Sequence, residues 1–326
     1  MGEIMVLAEH RQGEVRDITF EMLFKARELC QQNSHSLTAV LMTDGQGSYA
    51  DQLKSWANEV VVFKDDRLGN FNADFYNVIL AALIEERKPF IVLMGHTPWG
   101  MDLAPALSVK TGYPLVTDCV DVLVEDGKPK VIRQIYSGKI YSKVSFKESD
   151  VYLVTVRPSS FTPEVAEPFS GEIVEHDLPA DLPTPRRVFK EFVDTAAGEV
   201  DISQAPFLIS VGRGIGEQEN IEQVKELAEK MGAVLSCSRP VVDKNWLPKY
   251  HQVGTSGKSV KPKIYLALGI SGAFQHVAGI AGAGTVIAIN KDKKAPIFRV
   301  ADYGVVDDLF KVVAALKEKF ESLLSN

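Results

Sequence analysis

The sequence has few cysteines, and their positions argue against two kinds of stabilising site. Only three occur in 326 residues, Cys30, Cys119 and Cys237, with no CxxC pair and no cluster of cysteine with histidine. A disulfide framework and a zinc site are therefore not expected, nor is any other metal site, and a reducing compartment is the default prediction.

Long apolar runs and an excess of positive charge are also missing. No apolar segment is long enough to cross a bilayer, and MGEIMVLAEH breaks its apolar run too early for a signal peptide. The net charge is −7, and the basic residues are scattered apart from KSVKPK at 258–263. We therefore expect no nucleic-acid partner and no membrane insertion. The lack of an Arg/Ser-rich presequence favours the bacterial cytoplasm over the mitochondrial matrix.

The first half of the chain alternates strand and helix patterns, which predicts a Rossmann-like α/β domain with a parallel sheet. Strands are predicted at 4–10, 36–43, 59–64 and 90–95, and helices at 17–30, 71–88 and 101–112. From 115 to 156 apolar and polar residues alternate, and Asp126-Gly127 is a hairpin turn signal. This stretch predicts an antiparallel extension of the same sheet.

A proline-rich segment then separates two domains. Seven prolines lie between Pro158 and Pro206, and DLPADLPTPRR (177–187) suits neither a helix nor a central strand. We predict a first domain at 1–190, a linker at 191–206 and a second domain at 207–326. Arg186 and Arg187 are interpreted as solvated linker charge.

The second half repeats the α/β pattern and predicts a doubly wound parallel sheet, which binds ligands beyond the carboxyl ends of its strands. Strands are predicted at 207–212, 233–238, 263–269, 285–290 and 297–302, and helices at 217–232 and 306–324. Polar or glycine residues follow these strands in VGRGIG (211–216), SRP (238–240), GISGAFQH (269–276), IN (289–290) and ADYG (301–304).

The glycine pattern does not favour an ordinary NAD site. Gly212, Gly214 and Gly216 give GxGxG where the fingerprint requires GxGxxG, and the second strand ends in Ser238-Arg239 instead of an acid. Basic side chains and helix N-termini still suit a ligand that carries phosphate.

Three polar residues could donate to a ring that gains negative charge: Ser256, Gln275 and His276. The alternatives are a plain Gly/Ser turn at Ser256 and a structural, internally bonded histidine at 276.

The stretch from Ile264 to Leu316 resembles the signature of the electron transfer flavoprotein alpha subunit. GISGAxQH, AINKDxxAPIF and ADYGVVxDLF stand in order, and VGRGIG, LSCSRPVVD, QVGTSGK, VLAEH and IYSG (135–138) match the same family. The resemblance implies a heterodimer in which the second domain binds FAD. It also implies a beta subunit that contributes to the site and holds AMP or, in bifurcating members, a second FAD. The first domain would be a scaffold and subunit interface.

The resemblance also implies which residues contact FAD. For the diphosphate and ribityl region these are Arg213, Ser271, Gly272, Ala273 and Phe274; for the adenosine end, Asn290 and Asp308; for the isoalloxazine, Ser238, Arg239, Ser256, Gln275 and His276. Val253, Gly254, Thr255 and Leu309 complete the implied cofactor-binding set. Thr255 departs from the family, which usually has glutamine there, and this leaves the redox potential open.

The implied function is an electron carrier with no catalytic residues of its own. It would shuttle electrons from flavin dehydrogenases, such as acyl-CoA dehydrogenases, to a membrane quinone oxidoreductase or another acceptor. The alternative is an electron-bifurcating flavoprotein with NADH as donor. Two further alternatives are a freestanding nucleotide-dependent oxidoreductase, with His96 of GHTPWGMD as acid or base, and a nucleotide-sensing module without flavin.

Overall fold

A computed structural model describes residues 2–136, 140–164, 169–192, 201–203 and 205–324. The chain divides into two compact units, Met1–Phe192 and Val193–Asn326. The domain limits 1–190, 191–206 and 207–326 remain a prediction, because residues 193–200 and 204 lie outside the described residues. Within the predicted linker, Ile202 and Ala205 are buried in the core of the second unit.

The first unit contains eleven strands and four α-helices within its described residues. The strands are β1 (Glu3–Leu7), β2 (His10–Arg11), β3 (Glu14–Val15), β4 (Ser36–Thr43), β5 (Glu59–Lys64), β6 (Ile91–Gly95), β7 (Leu115–Glu125), β8 (Lys128–Ile135), β9 (Ile140–Ser145), β10 (Tyr152–Val156) and β11 (Glu172–His176). The helices are α1 (Asp17–Asn33), α2 (Tyr49–Leu53), α3 (Ala73–Arg87) and α4 (Pro98–Thr111).

Nine of these strands form one sheet in the order β11-β5-β4-β1-β6-β10-β7-β8-β9. The strands from β11 to β7 are parallel, and β7, β8 and β9 pair antiparallel. The predicted antiparallel extension is thus confirmed, with Asp126 and Gly127 at positive φ in its turn. One part of that prediction is wrong, because β10 inserts in parallel between β6 and β7.

Both faces of this sheet are covered, which explains the continuous apolar runs of its central strands. In β6, Ile91 and Leu93 pack on the face that α1 covers, whereas Val92 and Met94 pack on the face that α3 and α4 cover. Alternate residues of one strand therefore supply two separate cores.

The proline-rich segment belongs to the first unit more closely than the sequence suggests. β11 lies within it and pairs in parallel with β5 as the edge strand. Arg186 bonds Asp74 at 2.9 Å, and Arg187 bonds Asp102 at 2.7 Å. Both guanidinium groups remain exposed to solvent, as the interpretation of solvated charge expects, and in addition both pair with carboxylates of the first unit.

The described residues of the second unit form a six-stranded, fully parallel sheet in the order β14-β13-β12-β15-β16-β17. Its strands are β12 (Phe207–Val211), β13 (Val234–Ser238), β14 (Gln252–Val253), β15 (Ile264–Leu268), β16 (Thr285–Ile289) and β17 (Tyr303–Val305). Its helices are α5 (Ile221–Lys230), α6 (Arg239–Asp243), α7 (Phe274–Ala278) and α8 (Leu309–Leu324). The predicted doubly wound parallel sheet is confirmed.

The last predicted strand is wrong in its position. The first half of IFRVAD (297–302) lies in a 3₁₀ turn, Pro296–Arg299, and β17 forms after it at Tyr303–Val305. ADYG (301–304) therefore leads into a strand instead of following one. The other four predicted polar segments do follow strands, at β12, β13, β15 and β16.

Candidate functional site

The candidate site lies beyond the carboxyl ends of β12 to β16, all of which point the same way. The chain runs from β12 through β13 to β14 on one side, and from β15 through β16 to β17 on the other. The strand order therefore reverses between β12 and β15. Open α/β sheets bind ligands in the crevice at such a reversal.

Glycines let the two central loops meet at this point. A β-carbon on Gly212 would lie 2.3 Å from the Gly269 carbonyl oxygen, and one on Gly214 would lie 2.7 Å from the Gly269 α-carbon. The amide of Gly214 donates to the carbonyl of Gly269 at 3.0 Å. The VGRGIG segment therefore needs glycines for backbone packing against the β15 loop.

Residues 252–258, which we call the site loop, pack against α7. The Thr255 amide donates to the Gln275 carbonyl at 2.9 Å. A β-carbon on Gly279, just after α7, would lie 2.6 Å from the α-carbon of Gly254. The predicted groups at Val253–Ser256 and Ser271–His276 are thus brought together directly.

His276 is held inside this contact. Its side chain is buried, its Nδ1 lies 3.2 Å from the Val253 carbonyl oxygen, and its Nε2 lies 2.9 Å from the hydroxyl of Tyr265. A carbonyl only accepts, so Nδ1 must carry the hydrogen and the Tyr265 hydroxyl must donate to Nε2. Burial lowers the pKa of His276 to about 4, against the opposing effect of the Val253 hydrogen bond. The ring is therefore neutral at physiological pH.

This arrangement matches the alternative of a structural, internally bonded histidine. Both ring nitrogens have partners inside the second unit, whereas the neighbouring Gln275 is exposed. The expected contact between His276 and a flavin ring stays a prediction, and the structure assigns this side chain to supporting the site loop.

The loop after β15 offers backbone donors. Ser271 and Ala273 are exposed, and among the residues that the structure describes no acceptor bonds the amides of Gly272 or Ala273. The carbonyl of Ser271 accepts from the Ile297 amide at 3.0 Å, and Gly272 has φ +80°. Free amides in a fixed turn suit a phosphate group.

Basic side chains follow two other strands of the same sheet. Arg213 follows β12 and is exposed, and Arg239 follows β13, where it is exposed and lies 3.5 Å from the Asp243 carboxylate. Ser238 is buried at the end of β13, where it pairs in register with Val253.

The residues predicted for the adenosine end lie farther along the same edge. The Asn290 amide nitrogen donates to the Ile270 carbonyl at 2.9 Å, and its amide oxygen accepts from Asp292. Asp308 caps α8 by accepting from the Phe310 amide at 2.8 Å, while Leu309 is buried. Asn290 and Asp308 therefore also fix their own loops.

Family comparisons agree with this geometry. Residues 4–181 match the electron transfer flavoprotein domain, and residues 201–281 match the electron transfer flavoprotein FAD-binding domain. The electron transfer flavoprotein subunit alpha of Bacillus subtilis (strain 168) is 37% identical over 326 residues, with 99% of both chains covered. The subunit alpha of Megasphaera elsdenii is 37% identical, covering 97% of this chain and 95% of its own.

This chain belongs to the electron transfer flavoprotein alpha-subunit family. A further relative is the lactate dehydrogenase (NAD(+),ferredoxin) subunit LctC of Acetobacterium woodii, which is 34% identical with 99% of this chain and 78% of its own covered. FAD is the cofactor of the matched second domain, and an alpha subunit of this family pairs with a beta subunit as a heterodimer. The resemblance found in the sequence is confirmed.

The residues at the strand ends fit FAD. Free amides and the exposed Arg213 suit its diphosphate, and Ser256 is exposed on the site loop. No group of residues suited to a metal ion occurs in the described part of the chain, nor does any helix there that is long and apolar enough to cross a membrane.

His96, the residue of the acid-base alternative, lies in the first unit. Its Nδ1 lies 2.9 Å from the Thr155 hydroxyl, and burial lowers its pKa despite the nearby Asp118 carboxylate. Asp118 itself is bonded by Arg157 through two nitrogens, both at 2.7 Å. The ring therefore completes a polar cluster at the end of β6.

Sequence reasoning missed two residues of the second unit. Tyr265 bonds His276, and the buried Gln252 side chain bonds Ser256. Gln252 directly precedes the VGTSGK motif, so its position could have raised it as a candidate. Tyr265 gave no such signal, because a tyrosine in an apolar strand is as often a simple core residue as a hydrogen-bonding one. Of the IYSG match, Ser137 and Gly138 lie outside the described residues.

Proposed function

We propose that this alpha subunit holds FAD across the ends of β12 to β16 and carries electrons between other flavoproteins and an acceptor. The observation that carries the proposal is the direct contact of the site loop with α7, the helix that follows β15 beside the strand-order reversal. When bound, FAD supplies reversible one- and two-electron chemistry.

The chain's own residues would bind and orient the cofactor. The amides of Gly272 to Phe274, with Ser271 and Arg213, would hold the diphosphate and ribityl region. Asn290, Asp308 and Leu309 would hold the adenosine end.

The isoalloxazine would lie against the site loop. Ser238, Arg239 and Gln275 would surround it, and the site-loop backbone from Val253 to Thr255 would pack at its edge. The Ser256 hydroxyl would donate to N5 or O4, where a donor stabilises the negative charge that reduction brings. His276 would keep this loop in place.

The proposed partners are electron donors, an electron acceptor and the beta subunit. Reduced flavin dehydrogenases, such as acyl-CoA dehydrogenases, would be the donors, and a membrane quinone oxidoreductase the acceptor. The beta subunit would complete the site and hold AMP, and the complex would work in a bacterial cytoplasm.

A second candidate function is electron bifurcation. The name of the LctC relative describes a dehydrogenase subunit and includes both NAD⁺ and ferredoxin. In such a complex the beta subunit would hold a second FAD in place of AMP, and NADH would be the donor.

The test is the cofactor content and reduction potential of the heterodimer, purified after co-expression with its beta subunit. One FAD per heterodimer supports the carrier and two support bifurcation, whereas a folded heterodimer without flavin contradicts both. Ser256→Ala should lower the potential of bound FAD by roughly 60–130 mV, the loss of a hydrogen bond to a charged group of about 1.5–3 kcal/mol. Ser259→Ala, at an exposed serine three residues on, is the matched control.

A further inference from the structure

We propose that Gln252 is a positioning residue that turns the Ser256 hydroxyl hydrogen away from the protein and toward the cofactor. Gln252 is 4% exposed, and its Nε2 donates to Ser256 Oγ at 2.8 Å. Ser256 itself is exposed at the strand ends. This inference rests on the proposed function, because it gives a direction to the donor assigned there.

The chemistry of a hydroxyl group makes the direction definite. A serine hydroxyl has one hydrogen to donate and two lone pairs that accept. Because the Gln252 amide nitrogen occupies one lone pair, the hydroxyl hydrogen is not needed for this bond. It remains available to an acceptor on the exposed side, and the hydroxyl acts there as a donor.

Gln252 is itself fixed, so the bond has a defined geometry. Its backbone carbonyl accepts from the Lys258 amide at 2.8 Å, and a β-carbon on Gly257 would lie 2.3 Å from that carbonyl oxygen. The residue pairs in register with the buried Cys237 of β13. Because Gln252 is held by both its backbone carbonyl and its side-chain amide, it loses little further conformational freedom when the cofactor binds.

The site loop is anchored at other points as well. The Lys258 ammonium group bonds Asp201 at 2.9 Å, and His276 holds the Val253 carbonyl. Substitutions at Gln252 should therefore act mainly on the hydroxyl, because other bonds keep the loop in place.

Two substitutions separate orientation from other effects. Gln252→Met removes the amide donor at similar size, which leaves the Ser256 hydroxyl free to rotate. Gln252→Glu puts an acceptor in place of the donor, so the hydroxyl hydrogen turns inward to the carboxylate. Each is made in the native chain and in the Ser256→Ala background, and the heterodimers are purified with their FAD.

The readouts are the reduction potential of bound FAD, the Kd for FAD and the thermal unfolding midpoint. In the Ser256→Ala background the new carboxylate still acts by its charge but has no hydroxyl to turn. The difference between the two backgrounds therefore isolates orientation. Gln223→Met and Gln223→Glu, on the exposed face of α5, are matched controls and should leave the potential unchanged.

We expect Gln252→Met to disfavour reduction about threefold to tenfold in the native chain. In the Ser256→Ala background this effect should largely disappear. Gln252→Glu should have a larger effect in the native chain than in that background.

The inference is overturned if the shifts in reduction potential caused by the Gln252 and Ser256 substitutions simply add. It is also overturned if Gln252→Met leaves the potential unchanged while Ser256→Ala lowers it. The proposed function stands in both cases. Loss of FAD from both Gln252 variants but not from Ser256→Ala would overturn it too, because Gln252 would then act on loop folding. If Ser256→Ala retains FAD at an unchanged potential, the proposed donor role itself fails.

Discussion

Glu9 is a buried carboxyl group at the end of β1, outside the cofactor-binding unit. The Thr97 hydroxyl lies 2.8 and 2.9 Å from its two carboxyl oxygens, and the residue is 5% exposed. The Glu9 backbone amide donates to the Thr19 hydroxyl at 2.9 Å. Burial raises the pKa of Glu9 to about 7, although Thr97 and Arg16 act to lower it. The Glu9 carboxyl is therefore protonated in the folded state over a pH range in which the same carboxyl is ionised in the unfolded chain.

The consequence is a stability that falls as pH rises. Between 4.5 and about 7 the folded state binds more protons at Glu9 than the unfolded state does. Glu9→Gln, which keeps a hydrogen bond to Thr97, should raise the free energy of unfolding of the first unit at about pH 8 by on the order of 2 kcal/mol. Near pH 4.5 it should have little effect. Urea unfolding at both pH values measures the difference, and an equal effect at both would contradict the assignment.

His276 has the opposite pH dependence. Its folded pKa is lowered from 6.5 to about 4, so its contribution to stability is present above 6.5 and is lost as pH falls toward 4. In His276→Gln this loss should be absent, which reduces the pH dependence of unfolding by on the order of 2 kcal/mol. Histidine ¹⁵N chemical shifts provide a direct check, since Nδ1 of the native ring should carry a hydrogen at every pH in the titration. A titration midpoint near 6.5 would contradict this assignment.

At the level of elements, the meeting of β12 and β15 depends on glycine. In Gly212→Ala the new β-carbon would overlap the Gly269 carbonyl oxygen at 2.3 Å, so the two loops must separate. We expect a loss of at least about 2 kcal/mol in stability and a weaker Kd for FAD. Gly232→Ala is the control, because its β-carbon meets nothing within 4 Å and only its φ of +64° is strained. That variant should lose about 1 kcal/mol and bind FAD normally.

Several elements could be predicted from the sequence with correct limits. β4 and β5 have their predicted bounds, 36–43 and 59–64, because each is a buried apolar run flanked by polar or turn residues. The signal is local in such strands, and tertiary contacts do not override it.

Other elements depend on partners that are distant in sequence. EIVEH becomes β11 only because β5 offers a free parallel edge, and nothing in its own five residues distinguishes it from linker. In IFRVAD, the Ile297 amide is taken by the Ser271 carbonyl, and Pro296 starts a 3₁₀ turn, so pairing with β16 begins later, at Tyr303.

The candidate site shows the same limit. Motifs placed four of the five polar segments after strands, as the structure has them, because strand-end glycines and polar residues carry their own signal. The orientation of His276 could not be predicted, since it depends on Tyr265 from β15 and on the Val253 carbonyl from β14.

For the whole molecule, cofactor binding should stabilise one unit selectively. A ligand that binds only the folded state adds about 4 kcal/mol at a thousand times its Kd. Calorimetry of the heterodimer with and without added FAD should therefore show the transition of the second unit move upward with FAD concentration. The transition of the first unit should stay in place. Equal upward shifts of both transitions would contradict a site confined to the second unit of this chain.

The position of β11 bears on how the chain is synthesised. β5 emerges from the ribosome roughly a hundred residues before its edge partner, Glu172–His176, so its apolar edge stays unpaired for roughly 5–20 s at about 5–20 residues per second. Until then, Val60 to Val62 form an open template for pairing with other nascent chains. A protein shortened to end just after β10 would keep that edge open permanently and should self-associate through it, whereas one that extends past His176 should not.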